Sequence, residues 1–176
     1  MSQEARGLVM VFTGHGKGKT TAALGVALRA LGHGLRVHIV LFMKGNYPYG
    51  EQPVLEKLPN VTLERFGSLE FVDPAQIKDE ERAEARRALE AGRQAVMSGK
   101  YDLVVLDEVN LACGWGLIGA GEVLRLLQER PPPLHLILTG RHADPRIIEA
   151  ADIVTEMVEV KHPFRKGQVG LRGIDY

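Results

Sequence analysis

LVMVFTGHGKGKTTAALGVAL, residues 8–28, runs from an apolar segment through a glycine-rich turn into a second apolar stretch. A strand, a tight turn and a helix in that order are the setting of a phosphate-binding loop. The spacing is unusual, because G-x-x-x-x-G-K-[ST] calls for glycine at Thr13 and the first glycine arrives at Gly14. Gly14, Gly16 and Gly18 still let the backbone fold tightly and turn its N–H groups inward, and the helix N-terminus adds positive potential. Lys19 then offers a mobile charge to phosphate, and Thr20 a hydroxyl ligand to Mg²⁺. His15 and Lys17 stand on the same loop, within reach of phosphate or substrate. A turn that binds nothing would need strand, glycines, Lys-Thr pair and helix to coincide by accident.

Around this loop, short apolar runs rich in β-branched residues alternate with helical stretches, as in βαβ units around a parallel sheet. The expected strands are Leu8 to Thr13, Val37 to Met43, Val61 to Phe66, Leu103 to Leu106, Leu134 to Thr139 and Ile153 to Met157. Most are continuously apolar, as strands covered on both faces are; VTLERF from Val61 alternates with charge and suits an edge. A helix is expected from Lys19 to Gly32, with Ala22, Gly25, Arg29 and Gly32 on one small-residue face turned to water or to a second subunit. Asp79 to Ser98 reads as an outer, solvated helix with acids first and bases later. Two segments with loop chemistry, GNYPYGEQP from Gly45 and GSLEFVDP from Gly67, fall where such a sheet holds its substrates. The fold expected is α/β and P-loop NTPase-like (RecA-like), a mainly parallel sheet flanked by helices in three layers, with residues 1–176 as a single domain.

Composition narrows the function. Lys+Arg and Asp+Glu both number 22, so no surplus charge favours nucleic acid or an anionic membrane. Aromatic residues make up 6% and do not interleave with basic ones as a single-strand stacking surface requires. The lone cysteine, Cys113, forms no intramolecular disulfide, and a reducing cytoplasm is the expected compartment. The apolar run near the start is too short for a signal-peptide core, and no later run approaches a membrane span.

YDLVVLDE, residues 101–108, supplies the partner that the loop needs, a buried strand ending in two carboxylates. Asp107 or Glu108 is the expected second anchor of magnesium, directly or through water; the pair could instead cap the helix that follows. LTGR, residues 138–141, ends another apolar strand, where the Arg141 guanidinium either clamps phosphate oxygens or lies on the surface of a turn. In VKHPF, His162 before proline is more in keeping with a structural histidine than a catalytic one. No G-x-S-x-G elbow, zinc-site histidine pair or dinucleotide fingerprint competes with the reading of a Mg-ATP protein.

Four blocks together resemble the P-loop class of ATP:corrinoid adenosyltransferases: TGHGKGKTTAALGVALRALGHG, VVLDEVN, LTGR followed by PRIIEAAD, and VTEMVEVKHPF running to GIDY. They cover nearly the whole chain in family order. The resemblance implies a homodimeric enzyme that moves the 5′-deoxyadenosyl group of ATP to the cobalt of a reduced corrinoid and releases triphosphate. It makes Thr13 the family's own form of a short loop that holds ATP in the reverse sense, with the ribose C5′ facing the nucleophile. It assigns ATP binding to Gly14 through Thr21, with Lys19 and Arg141 acting on the departing triphosphate and Mg²⁺ on Thr20 with Asp107 and Glu108. Arg29 matches another motif arginine, which a solvated charge on the first helix would equally explain. A flavoprotein is implied as electron donor, the corrinoid being bound so that its lower axial ligand is lost. Where some members carry Phe-x-Trp, this chain has GSLEFVDP, which leaves Phe71 as the candidate corrinoid contact; Trp115, the single tryptophan, follows the acidic strand. The chain also begins close to the first strand, without a longer segment to cover the site, and GQVGLRGIDY matches the family's ending loosely. A conventional P-loop ATPase or kinase and a non-catalytic, ATP-gated corrinoid-binding module are the competing functions.

Overall fold

The computed structural model describes residues 6–45, 47–68 and 72–176. Six strands form one parallel sheet: β1 (Val9–Thr13), β2 (Val37–Leu41), β3 (Val61–Arg65), β4 (Leu103–Asp107), β5 (His135–Thr139) and β6 (Ile153–Glu156). Their order across the sheet is β3-β2-β4-β5-β1-β6. Each strand begins and ends within two residues of the segment expected for it.

Alternation along the strands sorts the core into two halves. Val11, Val40, Val104, Leu106, Leu136 and Leu138 face α3 (Asp79–Met97), α5 (Ala120–Glu129) and α6 (Pro145–Ala150). Phe12, Ile39, Leu41, Leu103, Val105 and Ile137 face the opposite way, against α1 (Lys19–Gly32) and Leu55 of the short α2 (Gln52–Leu55). Helices thus cover both faces of the sheet, which makes the α/β three-layer arrangement. The inner row of α1 is Lys19, Ala23 and Ala27, at four-residue spacing and all buried. Two alanines let the helix sit close to the sheet, and the same row points Lys19 inward at the loop.

On the opposite side of α1, Gly25, Arg29 and Gly32 are exposed, and among the described residues a methyl group added at either glycine would meet nothing within 4 Å beyond its chain neighbours and the helix's own backbone. In α3 the first turn holds Asp79, Glu80 and Glu81, as its dipole favours, whereas the last turn has no base. Strand β3 lies at an edge, in keeping with its alternating charge. Strand β6 departs from the expectation of covered strands: as the outermost strand it pairs with β1, and all four of its residues are exposed.

Candidate active site

The C-terminal ends of β1, β2, β4 and β5 meet at one end of the sheet, the usual binding edge of a parallel α/β fold. Strand β1 feeds the loop of residues 14–18. Gly14 has φ +92°, and a Cβ there would stand 2.4 Å from the Met157 carbonyl oxygen, so only glycine lets the loop lie against the exit of β6. Gly16 N–H donates to that same oxygen at 2.7 Å. Lys19 is folded back across the loop, its Nζ donating to the Gly14 oxygen at 2.9 Å and the Gly16 oxygen at 2.7 Å. Burial lowers the Lys19 pKa; Glu108 and Asp107 act against that, and Arg141 adds to it.

Across the sheet, Asp107 is almost fully enclosed at the tip of β4. Its Oδ1 accepts from Thr139 Oγ1 at 2.6 Å, and Thr139 Oγ1 accepts from Glu108 N–H at 2.8 Å. This chain of bonds joins the tips of β4 and β5. The other carboxylate oxygen of Asp107 forms an ion pair with Lys44 Nζ at 2.6 Å, and that ammonium also lies 3.3 Å from Thr20 Oγ1. Burial acts to lower the Lys44 pKa, but Asp107, by charge and hydrogen bond, and then Glu108 hold it above the ordinary lysine value. Glu108 takes the left-handed φ of 65° ahead of α4 (Val109–Gly114) and makes no capping bond to that helix. The acid pair makes no side-chain cap: Asp107 is spent on Thr139 and Lys44, and Glu108 Oε2 is buried without a hydrogen-bond partner among the described residues. Burial first, then the neighbouring Asp107, raises the Glu108 pKa.

A cavity of about 600 Å³ opens between these groups, walled by Lys19, Thr20, Lys44, Tyr49, Glu108 and Tyr176. A second, of about 340 Å³, lies on the other side of the loop and is lined by His15, Lys17, Arg141 and His162. Arg141 thus reaches the phosphate loop. His162 also caps the turn at Pro163–Lys166, its Nδ1 accepting from Phe164 N–H at 3.2 Å, which matches a structural role. Lys17 pairs with Asp175 at 2.9 Å, laying the GIDY ending over the loop. Thr21 lines the larger cavity. Arg29 is not brought there: ten residues along α1 from Lys19, it is exposed and roughly 15 Å further down the helix axis. Phe71 lies outside the described residues. Cys113 has its thiol pushed up to about 12, chiefly by burial, and is an inert packing residue.

Among the described residues no group of three or more His, Cys, Asp or Glu is placed to hold a metal. Magnesium needs no such group, since one or two protein oxygens, substrate phosphates and water suffice. The convergence of Asp107 and Thr20 oxygens on one cation position fits that ion.

Sequence reasoning did not single out Lys44, and it flagged the segments that hold Tyr49, Thr139 and Tyr176 (GNYPYGEQP, LTGR and GIDY) without naming those residues. The signal for Lys44 was its place just past the second strand, at the edge where such sheets bind; nothing local marked Thr139 as the partner of Asp107.

These features define an α/β protein of the P-loop NTPase-like class, with its glycine-rich loop at the C-terminal edge of the sheet. Residues 5–176 match the family model described as ATP:corrinoid adenosyltransferase BtuR/CobO/CobP. The chain is 38% identical to the corrinoid adenosyltransferase of Escherichia coli K12, over 99% of this chain and 88% of the relative. It is 37% identical to that of Pseudomonas aeruginosa, over 99% and 86%, and 38% identical to Corrinoid adenosyltransferase CobA of Salmonella typhimurium, over 99% and 88%. The chain belongs to the ATP:corrinoid adenosyltransferase family.

Proposed function

We propose that this chain carries out the reaction of its family, transferring the 5′-deoxyadenosyl group of ATP to the cobalt of a Co(I) corrinoid. The observation that carries the reading is a glycine-rich loop whose buried Lys19 lines one cavity with Thr20 and with Lys44, the partner of Asp107, in a chain whose family match spans residues 5–176. The Co(I) electron pair forms the bond to C5′, the bond from C5′ to the α-phosphate oxygen breaks, and triphosphate leaves with that bonding pair; the cobalt ends as Co(III). Little acid–base chemistry is asked of the protein, because the nucleophile is already strong. Its tasks are alignment and the stabilisation of charge on the departing triphosphate.

The loop amides other than Gly16 N–H, which is held by the Met157 oxygen, and the Lys19 ammonium receive phosphate oxygens, with His15, Lys17, Thr20, Thr21 and Arg141 around them. Thr20 and Asp107, with Glu108 beside them, would hold Mg²⁺, which would supply further positive charge to the triphosphate. Lys19 must leave the Gly14 and Gly16 carbonyls to reach a phosphate, a side-chain movement that exchanges two neutral acceptors for an anion. Residues 1–176 act as one domain in this reading, and the roles of Arg29 and Phe71 rest on the family resemblance. A homodimer is supported by the exposed apolar residues of β6 and the segment after it, among them Ile153, Val154, Val160 and Phe164. A flavoprotein supplies the electron that makes Co(I), and the lone cysteine suits a reducing cytoplasm. Among the described residues no helix is long and apolar enough to cross a membrane.

Phosphorus NMR of the products after anaerobic incubation with Mg-ATP and chemically reduced cob(I)alamin tests the reaction. Triphosphate formed only with corrinoid, beside a light-sensitive cobalt–carbon product, is the expected result. ADP and orthophosphate formed regardless of corrinoid would refute it in favour of an ATPase, and binding of both ligands without turnover would refute it in favour of a carrier.

A further inference from the structure

Lys44 has no role in the reaction as set out so far, yet it holds the most enclosed ion pair among the described residues, with 9% of its side chain exposed against 1% for Asp107. Its ammonium contacts the Asp107 carboxylate at 2.6 Å and the Thr20 hydroxyl at 3.3 Å, the two oxygens that the proposed function gives to magnesium. It also lies 4.7 Å from the centre of the Tyr49 ring and lines the large cavity beside Lys19 and Glu108. The backbone is bent to deliver it. Met43, the preceding residue, has φ 55°, a left-handed conformation costly for a methionine. Three of the four non-glycine residues with positive φ among those described, Met43, Glu108 and His142, follow the ends of β2, β4 and β5 around the site. Strain collected at one functional edge is what a site that positions side chains against backbone preference displays.

We infer that Lys44 is a built-in counter-cation of the triphosphate site. In the nucleotide-free protein its ammonium neutralises Asp107 and occupies the position between Asp107 and Thr20; when Mg-ATP enters, the ammonium yields that position and turns onto the triphosphate. A buried carboxylate without a cation is strongly disfavoured, so the exchange keeps Asp107 paired before and after nucleotide binding. Lysine suits the task because its ammonium is a compact charge on a flexible four-carbon arm, free to swing between two partners. Lys44 then joins Lys19 in stabilising the leaving triphosphate. The inference rests on the reading of the site as one for Mg-ATP.

The test uses Mn²⁺ as the probe, followed by electron paramagnetic resonance with the whole chain. Nucleotide-free wild type is expected to bind no Mn²⁺, Lys44→Met to bind Mn²⁺ without nucleotide, and both to hold it once ATP is added. Lys44→Arg, which keeps the charge, is expected to exclude Mn²⁺ as wild type does. Adenosyl transfer by Lys44→Met should fall roughly 100-fold in kcat, the usual loss for one donor to a developing anion. Bound Mn²⁺ in the nucleotide-free wild type would overturn the inference without need of any variant, as would Mn²⁺ excluded by a folded Lys44→Met. Wild type that binds no Mn²⁺ even with ATP would instead overturn the magnesium reading on which the inference rests.

Discussion

Replacing Thr139 by valine keeps the shape of the side chain and removes one oxygen from the centre of the site. That oxygen serves twice, donating to Asp107 Oδ1 at 2.6 Å and accepting from Glu108 N–H at 2.8 Å, and Thr139 is fully buried. A hydrogen bond to a charged group contributes about 1.5–3 kcal/mol, and a backbone donor left unpaired in the interior costs about 1–3 kcal/mol. Partial relaxation of the strand tips recovers some of this, so Thr139→Val should lose about 3 kcal/mol of stability. For a chain of this size that corresponds to a fall in Tm of roughly 6–12 °C. Urea unfolding reads the same loss as a lower midpoint with an unchanged slope. Thr139→Ser, which keeps the oxygen, should lose much less than the valine variant. Serine and valine variants of equal stability, or a valine variant within about 0.5 kcal/mol of wild type, would refute the assignment of that stability to the hydroxyl.

Lys19→Ala should yield folded, soluble protein whose corrinoid-dependent triphosphate release falls at least about 100-fold; unaltered turnover would remove Lys19 from the phosphate site. For Glu108 the sign follows from its raised pKa. A carboxyl whose native pKa lies above its unfolded value binds more protons folded than unfolded in between, so its contribution to stability is lost as pH rises through the native pKa. Glu108→Gln should therefore raise Tm at neutral pH, and the gain should vanish as pH falls to the ordinary glutamate range. Thermal melts of both proteins across that range decide it, and a gain that grows toward acid would contradict the raised pKa of Glu108.

Much of the frame was legible because it rests on local pattern. The apolar runs marked the strands, charge alternation in VTLERF marked an edge, and Lys19 to Gly32 is the helix expected. Asp107 and Glu108 were legible as a pair because both end one apolar strand, but their division of labour was not. Asp107 is tied to Thr139 across the β4–β5 pairing and to Lys44 beyond the end of β2. Those contacts depend on strand order, which no local pattern encodes. The rim position of β6 was not legible for the same reason: Ile153 to Met157 was expected as a strand without a place in the order, and a short strand looks alike in the middle of a sheet and at its rim. Arg29 shows the reverse limit, since the family resemblance implied a place for it at ATP while helix geometry within one chain carries it away from the loop.

The bond from Gly16 N–H to the Met157 oxygen and the contact of Gly14 with the same carbonyl mean that the loop takes its shape from the rim of the sheet. On the proposed reading of this loop as a phosphate cradle, it is ordered when the chain folds and not when nucleotide arrives. The entropy of arranging its amides is then absorbed into the stability of the whole fold, and nucleotide affinity is spared that cost. Loosening the last strand would accordingly show first as weaker, more temperature-sensitive nucleotide binding, well before the protein melts.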